Sequence, residues 1–205
     1  MSAELTYALS AIFGYFIGSI PFGLILTKMA GYGDIRKIGS GNIGATNVLR
    51  TGNKTLALLT VLFDASKAGV AAIVARAIWG GGVADSITVA LIAGACGVLG
   101  HNFPVWLKFK GGKGVASTFG FILATCWPVA LIALLVWLIM AFTFKYSSLS
   151  ALTAAIFVPI ASYFFAPTPQ YTWFYLCITL LVVVRHHANI KRLIKGEESK
   201  IKLKK

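Results

Sequence analysis

Seven mostly apolar runs, separated by short polar connections, dominate the chain. They cover approximately Leu5 to Met29, Thr55 to Trp79, Ser86 to Gly100, Val115 to Trp127, Val129 to Phe144, Leu149 to Phe165, and Tyr171 to Val184. A hydrocarbon core of about 30 Å needs about 20 helical residues, and lipid leaves each backbone polar group to be satisfied within the chain. The runs therefore predict membrane helices, with the third to fifth short. The stretch Val115 to Phe144 admits two readings: one tilted helix broken at Pro128, or two short helices meeting at Thr125-Cys126-Trp127-Pro128.

Charge placement separates the two readings. With two helices, the connections Ala30 to Lys54, His101 to Gly114, Lys145 to Ser148 and Arg185 to Lys205 share one side and hold 16 of the 19 Lys and Arg residues. The opposite connections, Gly80 to Asp85, the turn at Pro128, and Ala166 to Gln170, hold none. By the positive-inside rule the loaded side is cytoplasmic. The expected fold is an all-α integral membrane protein, a seven-transmembrane-helix bundle with its N-terminus outside and its C-terminus cytoplasmic. It forms one domain, 1–205, with a short basic tail from about residue 191.

Composition agrees. Of 205 residues, 58% are hydrophobic and 12% charged, against about 45–50% and about 25% in soluble domains. The net charge of +13 sets topology, attracts anionic lipid, or holds a phosphorylated ligand. No basic helix, aromatic RNA-reading motif or zinc spacing accompanies it, so nucleic acid is not an expected partner. Cys96, Cys126 and Cys177 lie in apolar runs without CxxC spacing, as packing residues do. No basic n-region precedes the first run, where Glu4 sits instead, so that run is expected to remain a span.

The candidate chemistry lies in the basic connections. Gly39 to Arg50 reads GSGNIGATNVLR. Its glycines Gly39, Gly41 and Gly44 permit close backbone approach, Ser40, Asn42, Thr46 and Asn47 offer neutral hydrogen bonds, and Arg50 adds a planar cationic fork. The loop suits a phosphate but lacks the spacing of a nucleotide P-loop, and a plain Asn/Gly turn is the competing reading. In Gly100 to Ser117, Gly111, Gly112 and Gly114 flank Lys113 just before an apolar helix, where N–H groups and an ammonium can converge on an anion. Lys108 and Lys110 are read as markers of the inner face. His101 and Asn102 fit an interfacial turn as well as a ligand role.

Ser148 supplies a hydroxyl at a span end, where a helix cap is the simpler reading. In Arg185 to Arg192, a continuous helix puts His186 and Asn189 on one face, and the histidine can position or deprotonate a hydroxyl or simply cap the span. Asp64 and Lys67, three apart inside the second run, are expected to neutralise one another. The tail from Gly196 is read as solvated and topogenic.

Absences narrow the reaction. There is no GxSxG elbow, no HExxH, no HxxxxD, and no clustered carboxylate site among Glu4, Asp34, Asp64, Asp85, Glu197 and Glu198. No metal and no cofactor is expected.

Taken together, SGNIGATNVLR, GHNFPVWLKFKGGKGVA, KYSSLSAL, RHHANIKRLIKGEE and the GSIPFG run at Gly18 to Gly23 resemble the bacterial membrane glycerol-3-phosphate acyltransferases that use acyl phosphate as donor. His187 departs from the family pattern, so the family histidine falls on His186. The resemblance implies transfer of a long acyl chain from acyl phosphate to the 1-hydroxyl of glycerol 3-phosphate, yielding lysophosphatidic acid and phosphate, the first step of phospholipid synthesis. It also implies a bacterial inner-membrane protein with its motifs facing the cytoplasm, and a monomer whose only other partner is membrane lipid.

On this reading His186, Asn189, Lys113 and Arg50 are catalytic, and Ser40, Gly41, Asn42, Gly44, Thr46, Asn47, Gly112, Gly114 and Ser148 bind substrate phosphate. The four cytoplasmic segments are expected to gather around two anionic reactants. The proton goes either to a substrate phosphate, which the resemblance favours, or to His186. The competing class is a channel or transporter for small phosphorylated anions. It would need a polar path across the bilayer, and the nearly apolar outer connections do not suggest one.

Overall fold

The structure, a computed structural model, describes residues 1–201. Its regular elements among the described residues are all helical, and the chain divides into two compact units, Met1–Thr125 and Cys126–Lys205.

The first unit contains α1 (Ala3–Gly18), α2 (Phe22–Met29), α3 (Ala45–Val48), α4 (Lys54–Trp79), α5 (Ser86–Asn102) and α6 (Val115–Thr125). Short polar side chains start the longer ones. Asn53 accepts from the amide of Leu56 at 3.0 Å, and Asp85 accepts from the amide of Thr88 at 2.8 Å, each satisfying a donor that helix geometry leaves over. The second unit contains α7 (Trp127–Phe144), α8 (Ser147–Phe165), α9 (Pro169–Arg185) and α10 (His187–Ile194). Pro128 and Pro169 fall in first turns, where a missing N–H costs little.

Each of the seven apolar runs is helical, with two corrections. The first run is not continuous: Gly18-Ser19-Ile20-Pro21 interrupts it between α1 and α2, because Pro21 cannot extend the helix before it. The break between the fourth and fifth runs falls at Cys126, with Pro128 inside the next helix. Five stretches among the described residues are long and apolar enough to cross, and six if α9 and α10, bent by 59°, count as one. The 11-residue α6 reaches only about 16 Å at 1.5 Å per residue.

Packing in the first unit runs through backbone. A Cβ added at Gly14 or Gly18 of α1 would strike the carbonyls of Ala93 or Gly97 of α5, and one at Gly120 of α6 would strike that of Ala65 of α4. Lipid tails are as apolar as leucine, so helices gain by close contact at small residues rather than by hiding large ones from water. In the second unit, Thr179 of α9 donates to the carbonyl of Ala155 of α8 at 2.8 Å.

Lys67 and Asp64 are buried, with Nζ 3.1 Å from Oδ1. The same ammonium donates to the carbonyl of Ile20 at 2.9 Å, serving the interruption between α1 and α2. One pair thus neutralises itself and ties α4 to the broken first run.

Gly18→Ala is expected to lower stability by about 1–3 kcal/mol through overpacking. Gly81→Ala, whose added methyl meets nothing within 4 Å, is expected to leave it unchanged. Thermal unfolding in detergent checks both.

Candidate active site

In the first unit, the loop before α4 is organised by one buried amide. Asn47, 1% exposed, donates through Nδ2 to the carbonyls of Ile35 at 2.7 Å, Asn42 at 2.9 Å and Ile38 at 3.2 Å. Its Oδ1 accepts from the amide of Ser40 at 3.1 Å and from Arg50 Nη1 at 3.5 Å. An amide group has two N–H donors and one two-lone-pair acceptor, so this side chain is fully committed to the loop. Asn47 thus shapes the loop that Ser40 and Arg50 belong to. Gly39, at φ +56°, sits where a side chain would collide with Asn47 and Arg50.

Around that centre, Ser40, Gly41, Thr46 and Arg50 are exposed, while Asn42 and Gly44 are half-buried. Asn42 Oδ1 accepts from the amide of Ile43 at 3.0 Å, and Gly44 precedes the first turn of α3. The loop rests on a cluster of Leu24, Ile35, Val48 and Ala57, against which Leu107 also packs. Leu107 belongs to the segment after α5, so one small core underlies both basic connections of this unit. At the rim, the Arg36 guanidinium donates to Asp34 through Nε at 2.9 Å and holds that carboxyl down to about 2.

The second connection folds back onto the end of α5. The amide of Gly111 donates to the carbonyl of Asn102 at 3.2 Å, and that of Gly112 to the carbonyl of His101 at 3.0 Å. The amide of Gly112, one of the glycines expected at an anion, is engaged in this strap to α5. Gly114 adopts φ +82°, and its carbonyl accepts from Thr118 at 2.7 Å to open α6. Lys113 stands half-buried between these glycines. Asn102 is fully buried with neither amide atom hydrogen-bonded among the described residues. His101 is also buried, its Nδ1 3.6 Å from Asp64 Oδ1.

In the second unit, a tail carboxylate is the organiser. Glu198 accepts from Ser148 Oγ at 2.7 Å and Asn189 Nδ2 at 2.7 Å through one oxygen, and from Arg192 Nε at 2.6 Å through the other. The amide of Ile201 donates to the carbonyl of Lys145 at 2.6 Å. The tail is therefore tethered at Glu198 and Ile201, while Gly196, Glu197, Ser199 and Lys200 remain exposed. Burial pushes the Glu198 carboxyl up, but the three donors outweigh it and hold it below its ordinary 4.5. Sequence reasoning missed Glu198. Its only signal is a carboxylate within the most basic segment of the chain.

The helix does not continue through the histidines. It ends at Arg185, and α10 starts at His187 after the bend, so His186 occupies a hinge instead of sharing one helix with Asn189. Both side chains are still buried, at 2% and 5% exposure. His186 Nδ1 lies 2.7 Å from the carbonyl of Val182. Since a carbonyl only accepts, Nδ1 carries the proton in this contact. His187 is exposed. Asn189 Oδ1 is buried and has no partner among the described residues.

Apolar helices crossing a membrane, with one cluster of neutral and cationic donors in each unit, define an integral membrane protein equipped to handle anions. A family model described as glycerol-3-phosphate acyltransferase matches residues 8–196. Glycerol-3-phosphate acyltransferases of Mesorhizobium japonicum and Rhodospirillum rubrum are 54% and 52% identical over 199 and 203 residues. These alignments cover 96% and 98% of this chain, and 98% and 94% of the relatives. A crystal structure of PlsY (YgiH), an integral membrane glycerol 3-phosphate acyltransferase in its glycerol 3-phosphate form, superposes with a TM-score of 0.87. It is 37% identical and 96% of each chain is covered. Its lysophosphatidic acid form gives 0.83 at 36% identity. The chain belongs to the glycerol-3-phosphate acyltransferase family and is a multi-pass membrane protein.

A carboxyl lowered in the folded state stabilises it above the unfolded value and ceases to do so as pH falls through the folded one. The tail is therefore expected to stay docked above pH 4.5 and to release in more acid solution, read by hydrogen exchange at the Ile201 amide. Glu198→Gln should release it at neutral pH and remove the pH dependence.

Proposed function

We propose that this protein transfers a long acyl group from acyl phosphate to the 1-hydroxyl of glycerol 3-phosphate, releasing lysophosphatidic acid and inorganic phosphate. The whole-length likeness to glycerol-3-phosphate acyltransferases, one of them solved in a glycerol 3-phosphate form, carries the reading. The donor rests on the motif resemblance and on the chemistry the residues offer. The basic connections face the cytoplasm by the positive-inside rule, in a bacterial inner membrane.

An acyl phosphate is a mixed anhydride with a good leaving group, so a protein nucleophile is not needed to activate it. The acceptor oxygen attacks the acyl carbon, the bond from that carbon to the phosphate oxygen breaks, and the hydroxyl proton passes to the departing phosphate. What remains for the protein is orientation and charge stabilisation. We assign Ser40, Arg50 and Lys113 to substrate phosphates, and His186 and Asn189 to the acceptor. The unpartnered Asn189 Oδ1 supports its role, because a buried acceptor without a donor suits an incoming hydroxyl. Ser148 is assigned with Asn42 to phosphate binding; here its hydroxyl is held by Glu198.

Purified protein given glycerol 3-phosphate with acyl phosphate, and separately with acyl-CoA, is expected to form lysophosphatidic acid and phosphate from the first donor only. Product from acyl-CoA alone would overturn the assigned donor. Arg50→Ala and Lys113→Ala are each expected to lose on the order of 10²-fold or more in turnover, as when one charge-stabilising donor is removed. His186→Ala separates the proton routes. A rate within about tenfold of wild type fits proton transfer to phosphate, whereas protein bases contribute about 10²–10⁴-fold.

A further inference from the structure

The interior of the first unit holds a charged cluster that the proposed chemistry does not use. Asp64, Lys67 and His101 are 2%, 3% and 4% exposed. Lys67 and Asp64 already satisfy each other at 3.1 Å, so the pair alone does not account for an imidazole 3.6 Å from the same oxygen. The other side of the ring supplies the reason. A Cβ built on Gly112 would collide with His101 Nε2, with two ring carbons at 2.9 Å.

Gly112 is absent from the positive-φ residues, so it is glycine because the imidazole fills the place of its side chain and not for its backbone angles. Its amide meanwhile donates to the carbonyl of the same histidine at 3.0 Å. The ring is thus wedged between a fixed carboxylate and the residue that immediately precedes Lys113.

We infer that Asp64 and His101 are positioning residues for Lys113: the buried carboxylate fixes the imidazole, and the imidazole sets the backbone that presents the ammonium. The inference rests on the proposed role of Lys113 at a substrate phosphate. A lysine between two glycines has little intrinsic reason to keep one orientation, and misplacement by about 1 Å can cost on the order of 10²-fold in rate. Rigid packing behind Gly112 supplies what the loop sequence lacks.

Asp64→Asn alone would strand the Lys67 charge, so the test uses Asp64→Asn with Lys67→Met, which leaves no orphan ion. Michaelis constants are measured for each substrate. The double variant is expected to raise, about tenfold, the same constant that Lys113→Arg raises and to leave the other constant unchanged, even where loss of the Lys67 bond to Ile20 lowers the unfolding temperature. A second arm removes the wedge. Gly112→Ala is expected to lose about 10²-fold, and His101→Ala combined with it to regain at least about tenfold, since the smaller side chain makes room.

Wild-type constants in the double variant would overturn the inference. So would a loss at Gly112→Ala that is the same with or without the imidazole, or an equal rise in both constants. Absence of transfer by the wild-type protein would instead defeat the proposed function. Calorimetry with glycerol 3-phosphate and inorganic phosphate would then decide whether the double variant and Lys113→Ala weaken the same binding.

Discussion

An ionised carboxylate cannot remain alone in a medium that hydrates it poorly, and this constraint at Asp64 organises much of the first unit. Its partner Lys67 comes from the next turn of the same helix, which is the cheapest way to bring a counter-charge into a membrane. The ammonium then has hydrogen-bonding capacity left over and reaches the Ile20 carbonyl, while the carboxylate draws in the ring of His101. A single neutral pair thus joins α4, the interruption after α1 and the end of α5. The helices meet there at glycine and alanine, so the strands of this knot are short and stiff.

The polar clusters of the two units are organised by different means. In the first, a neutral amide at Asn47 gathers carbonyls and an N–H into a loop without adding charge. In the second, Glu198 collects a hydroxyl, an amide and a guanidinium around two oxygens. That carboxylate holds the Ser148 hydroxyl and the Asn189 amide on one oxygen and the Arg192 guanidinium on the other.

Much of the fold was legible because lipid enforces a simple rule of long apolar runs and charged connections, so helices appear wherever the runs lie. Interruptions were less legible. Pro21 pointed to one, but the hinge at His186 has no proline or glycine beside it, and a continuous helix was the natural reading of Val182 to Asn189. Residue types at the site were readable from their motifs, while their uses were not. Asn47 and Gly112 look like ligand-facing residues in a string of letters. Only the folded chain shows the carbonyls that engage them. The contact of Asp64 with His101 crosses 37 positions and follows no spacing rule.

The docked tail bears on how such a chain is made. Ser148 emerges from the ribosome 50 residues ahead of the carboxylate it will hold. During synthesis its hydroxyl must therefore find water or a passing headgroup. The polar end of the second unit is finished late, after its helices have already entered the bilayer, and a nascent chain halted before Glu198 would be inserted yet unready.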